Sequence, residues 1–134
     1  MNLPTRALVL AATLIAGTPA FAMTETEAAA NVMYFAFATQ ESELCEKLGY
    51  PGRATFRAWE QEHAGVFVAS MRRVEDHAAE ALKISRDEAR QTSAALFERL
   101  KGRYDREFAP DVSARSCGRF GETLRLYGSK LVRN

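Results

Sequence analysis

Few residues in this chain have the chemistry of a ligand or a nucleophile. His63 and His77 are the two histidines. Fourteen positions apart on one predicted helix, they share a face but stand about 21 Å apart along its axis, too far to hold one metal ion. His77 sits among Arg72, Arg73 and Asp76, a charged setting that reads as surface. His63 lies on an apolar stripe between Trp59 and Phe67, where a histidine is ordinarily packed with its ring nitrogens satisfied. The competing chemistry is haem ligation by Met33 or Met71 with His63, although no C-x-x-C-H attachment motif accompanies them. The ligand candidates are thus His63, Trp59 and Met33.

Nucleophilic and acid–base chemistry find less support. Ser70 has its nearest histidine two helical turns away, and no G-x-S-x-G elbow is present. The paired carboxylates Glu60/Glu62 and Glu75/Asp76 lie among basic residues, as on a solvated face. No catalytic residue, cofactor or metal site is expected, and a non-enzyme is the expectation. The two cysteines, Cys45 and Cys117, lack the C-x-x-C spacing that tunes thiols for exchange. In an exported chain they are expected to pair. Closing a loop of roughly 70 residues stabilises by about 4 kcal/mol in the chain-entropy model.

Export is the expectation because of the N-terminus. Arg6 precedes an apolar run, Ala7 to Gly17, and Ala20-Phe21-Ala22 offers small residues where a signal peptidase reads them. The run has 11 residues, against roughly 20 needed to span a bilayer. Residues 1–22 are therefore read as a cleaved signal peptide, and 23–134 as one domain, periplasmic or secreted, without stable membrane insertion. Removing 22 of the 134 residues leaves 112, with 17 acidic and 17 basic side chains. A balanced charge argues against nucleic acid as partner. Residues 23–46 hold five glutamates and no basic residue, whereas 115–134 are mainly basic, so the first and last helices are expected to attract.

The elements that position these residues read as four helices with short connections. Helix 1 is predicted over about 25–48, opened by the Thr24/Glu27 capping box and stopped by Gly49. Helix 2 is predicted over about 54–83, with Gly65 and Ala69 as a small-residue patch for close helix approach. Helix 3 opens on Ser85/Glu88 and ends before Pro110, and helix 4 runs over about 113–132. A small four-helix bundle-like, all-α domain with one disulfide is the economical architecture. Met33, Phe37, Leu44 and Leu48 are expected to form the core face of helix 1, with Tyr34 and Phe35 turned away.

An apolar helix of this kind needs cover on every side. Either the other helices surround it or a partner covers the Tyr34–Phe35 side. Tyr34 and Phe35 are the partner-binding candidates. The expected function is an exported, non-catalytic interaction protein: an inhibitor, toxin-immunity protein, chaperone or envelope adaptor. Its partner would be another envelope or secreted protein, or a second copy of itself. A small-ligand or haem-binding bundle using the interior near His63 is the alternative.

Overall fold

The computed structural model describes residues 22–133. The signal-peptide reading falls almost entirely on residues 1–21, which lie outside that range. Among the described residues the chain is all-helical: α1 (Glu25–Lys47), α2 (Gly52–Glu62), α3 (Ala64–Leu82), α4 (Arg86–Glu107), a 3-10 turn (Ala109–Asp111), α5 (Ala114–Cys117) and α6 (Phe120–Lys130). Both predicted capping boxes are present, Thr24 with Glu27 and Ser85 with Glu88. A third, Ser113 with Ser116, opens α5. Each hydroxyl and its return partner satisfy amides that the first helical turn leaves without acceptors.

Helix α1 is the central element and packs along α2, α3, α4 and α6. It runs unbroken through Thr39-Gln40, where the Thr39 hydroxyl donates to the Phe35 carbonyl and the Ser42 hydroxyl to the Thr39 carbonyl. Its innermost face is Ala28, Val32, Phe35, Ser42 and Cys45, all at 2 % exposure or less. That corrects the expected core face. Phe37 is buried, but Met33 and Leu44 are half-buried and Leu48 is 51 % exposed. Phe35, expected to point away, has its ring centroid 4.8 Å from those of both Trp59 and Phe67. The inward stripe was misread because α1 is apolar all round, so periodicity alone does not choose its face.

The predicted second helix is two helices bent at His63, which closes α2 and opens α3. In a straight helix Trp59 and Phe67 would lie about 12 Å apart along the axis. Across the bend both rings converge on Phe35. The predicted fourth helix is also divided, into α5 and α6 around Gly118-Arg119. Gly65 has open space where a Cβ would stand, so it marks no close approach. The close approach falls instead at Gly52, where a Cβ would lie 2.3 Å from the Ser42 carbonyl oxygen and 3.1 Å from Cys45 Cβ.

The disulfide forms as expected between Cys45, in the last turn of α1, and Cys117, at the end of α5, with 5.4 Å between their Cα atoms. The expected attraction between first and last helices is not seen as ion pairs among the described residues. Glu25 pairs with Arg73 of α3 at 3.4 Å, Glu46 accepts from the Arg53 amide, and Glu41 is buried. At the opposite end from the disulfide, Asn31 is fully buried. Its Nδ2 donates to the Val132 carbonyl (2.8 Å) and to Ser70 Oγ (3.0 Å), and its Oδ1 accepts from the Val132 amide (2.9 Å). The Met23 sulfur lies against the same amide, 3.6 Å from Nδ2, and the Met23 carbonyl accepts from Arg73 Nε. Both ends of the described chain thus meet on one side chain.

Candidate aromatic groove beside helix 1

Two stretches of α1 face opposite ways. While Phe35 enters the core, Met33, Tyr34, Phe37 and Glu41 line a groove closed by Tyr104 and Phe108 at the end of α4, Asp111 and Val112 beyond it, and Tyr127 of α6. The space measures about 380 Å³, within the range of sites that enclose a small ligand. The geometry is aromatic throughout. Tyr34 and Tyr127 have ring centroids 5.2 Å apart, and Phe37 meets Tyr104 and Phe108, each at 5.3 Å. These are the tilted arrangements that ring quadrupoles favour. The Arg103 guanidinium stands 6.0 Å from the Phe37 centroid and is paired with Glu107 at 3.2 Å.

The lining also carries Asp111, Ser116 and Thr123, and one buried charged residue, Glu41. It is 6 % exposed and forms no ion pair among the described residues. Burial raises its carboxyl above the ordinary value, and a hydrogen bond from the Tyr104 hydroxyl partly offsets this by favouring the charged form. The tyrosines respond in turn. Burial and the Glu41 charge raise Tyr104 and push Tyr127 up to about 12, so both stay protonated donors at neutral pH. The groove therefore holds one almost fully enclosed carboxyl beside protonated phenols and bare ring surfaces.

The sequence-predicted candidates are divided between this groove and the interior. Met33 and Tyr34 line the groove. Phe35 is core. Trp59 and His63 form a separate cluster at the bend, with ring centroids 5.0 Å apart. Arg133 Nη2 stands 2.8 Å from His63 Nδ1. On the other edge of the ring, a Cβ at Gly128 would lie 2.9 Å from His63 Nε2 and 3.2 Å from Trp59 Nε1. Backbone thus covers one ring nitrogen and a guanidinium the other, which leaves His63 no open side for an axial bond. Burial first, and the Arg133 charge further, lower its pKa, against the opposing pull of Glu62. His77 is exposed, and no cluster of three metal-ligating side chains occurs among the described residues.

Another hollow, about 460 Å³, lies beside the disulfide between the Pro51 turn and Gly118–Gly121, but no carboxylate or basic side chain lines it. Sequence reasoning missed Glu41, Tyr104 and Tyr127. The available signal was spacing: Tyr34, Phe37 and Glu41 lie at i, i+3 and i+7, on one face of a helix. No protein-family model matches the chain, and no curated protein or solved structure is similar to it.

Proposed function

We propose that this chain is an exported, non-catalytic binding protein, a small helical bundle whose working surface is the aromatic groove beside α1. One observation carries the reading. Half-buried Tyr34 and Tyr127, exposed Phe108 and the buried rings of Phe37 and Tyr104 surround a preformed concavity with a single buried carboxyl on its wall. Aromatic rings held by their neighbours supply contact area at little cost in ordering, which suits recognition. The interaction role expected for Tyr34 and Phe35 narrows to Tyr34, since Phe35 supports the fold. The small-ligand alternative gains from this geometry, with its site moved from His63 to the groove. Export is supported by the signal-like N-terminus and by the disulfide.

Two experiments test the proposal. Protein recovered from the periplasm or medium should have the intact mass of a chain starting at Met23, and a mass retaining residues 1–22 refutes export by this signal. For the groove, a small-fragment screen by NMR should shift resonances of Tyr34, Phe37 and Tyr127 together. Thr123 also lines the groove and is half-buried. Thr123→Trp should fill the space and abolish those shifts while the far-UV spectrum stays helical. Shifts centred elsewhere, or unchanged by Thr123→Trp, refute the groove.

A further inference from the structure

We propose that the ligand of this groove is a small organic cation bearing a quaternary ammonium group, held against the aromatic walls with the Glu41 carboxylate as its counter-charge. The proposal rests on the reading of the groove as the binding surface and assigns that surface its chemistry.

Three features select the ligand class. The first is the wall itself. Tyr34, Phe37, Tyr104, Phe108 and Tyr127 line one space, and ring faces attract cations through their quadrupole. Phe37 already does so with Arg103 of the same chain. The second is charge. Two carboxylates, Glu41 and Asp111, line the groove and no lysine or arginine does. Arg103, which lies over Phe37 and 4.0 Å from the Met33 sulfur, is paired with Glu107. An anion would meet repulsion here. A neutral guest would leave Glu41 a buried charge without an opposite partner, which is costly.

The third feature is the share of the wall that is ring. Beside the carboxylates of Glu41 and Asp111 and the hydroxyls of Ser116 and Thr123, five aromatic residues line the groove. A methylated ammonium carries the charge with no donor to satisfy and fits aromatic surface. A metal ion would need several ligands, and no suitable cluster of three occurs among the described residues.

Glu41 must be ionised to serve. From α1 it is faced by Tyr34, from α4 by Tyr104 with Arg103 and Asp105 nearby, from the 3-10 turn by Asp111 and from α6 by Tyr127. Burial raises Tyr104 and Tyr127 above the ordinary phenol value, so these two stay neutral where Glu41 titrates. Affinity for the cation should therefore fall as acid protonates Glu41, over a range lying above the ordinary carboxylate value of 4.5 because burial raises this group.

The test is calorimetric titration of the intact oxidised protein at pH 8 with choline and with its uncharged carbon isostere, 3,3-dimethylbutan-1-ol. Choline should bind at least tenfold more tightly than the isostere. Glu41→Gln should weaken choline at least tenfold and leave the isostere unchanged, and a thermal melt should show that the variant is folded. Tyr127→Leu, which removes a ring and keeps apolar bulk, should also weaken choline. Vesicles of phosphatidylcholine beside vesicles of phosphatidylglycerol distinguish a lipid headgroup from the free amine as source, since binding to the first alone and its loss in Glu41→Gln supports the same chemistry. Equal binding of choline and isostere, or full choline affinity in Glu41→Gln, overturns the cation assignment while the groove stands. Binding of none of these probes overturns the cation assignment, and the fragment screen with Thr123→Trp then decides the groove separately.

Discussion

Tyr34 and Phe35 are neighbours in sequence, both aromatic, and the structure gives their removal very different consequences. Phe35 is 1 % exposed and its ring meets Trp59 and Phe67. Truncation to alanine removes a fully enclosed ring from beneath two helices that cannot both close in, because the bend at His63 fixes their directions. A buried Phe→Ala change costs about 3–5 kcal/mol. For a domain of 112 residues that lowers Tm by about 12–20 °C. Tyr34 is half-buried and its main ring partner is Tyr127, 5.2 Å away. Losing one aromatic pair and part of its buried area costs about 1–2 kcal/mol, or about 4–8 °C. The assay is a pair of far-UV melts on single variants with the disulfide intact, Tyr34→Ala beside Phe35→Ala. If the two melt together, or if Phe35→Ala loses less than about 5 °C, the assignment of one ring to the core and the other to the groove is wrong.

Other perturbations test the remaining supports. Cys45→Ser or Cys117→Ser should cost up to about 4 kcal/mol for a bridge closing 72 residues; denatured, unreduced wild type should show no free thiol, and mutant urea midpoints equal to wild type refute a structural bridge. Asn31→Ala removes the donor and acceptor that hold Val132 and the donor to Ser70, so a loss of about 2–4 kcal/mol is expected; fast hydrogen exchange at Val132 in wild type would contradict the premise. Because burial raises the Glu41 carboxyl in the folded state, the folded chain keeps a proton that the unfolded chain has released. Its contribution to stability therefore grows as pH falls towards 4.5 and is fully present below it. Glu41→Gln should be at least as stable as wild type at pH 7 and lose that advantage near pH 4, and a difference independent of pH refutes this. The lowered His63 pKa acts with the opposite sign, so stability should decline as pH drops below about 6.5 in wild type and less so in His63→Gln.

Local chemistry in the sequence located most of the helices. Thr24, Ser85 and Gly49 mark ends that the structure keeps, with Gly49 at a φ of 87° just beyond α1. The cysteine pairing followed from number and expected compartment. The bend at His63 escaped notice because that residue carries no breaker signature, whereas Gly118 beside Arg119 is a breaker that the reading of one continuous helix 4 passed over. His63 departs from helical geometry where tertiary packing against Trp59, Gly128 and Arg133 holds it. The face of α1 was illegible for a different reason. Phe35 and Phe37 are equally apolar, and only the placement of α3 and α4 decides which enters the core and which lines a groove. The groove joins residues from 33 to 127, and neither Glu41 nor Tyr104 falls in a motif that would announce the other.

The meeting of both ends of the described chain on Asn31 has a consequence for how this fold is recut. Met23 and Val132 lie against the same buried amide, so a short linker between these two residues would not cross the molecule. New ends opened at the exposed Lys83–Ser85 connection would leave every helix whole. Such a circular permutant would keep the Asn31 clasp and the cystine and add a covalent link beside them. A permutant that melts like its parent would show that the order of helices around α1, and not the starting point of the chain, specifies the fold.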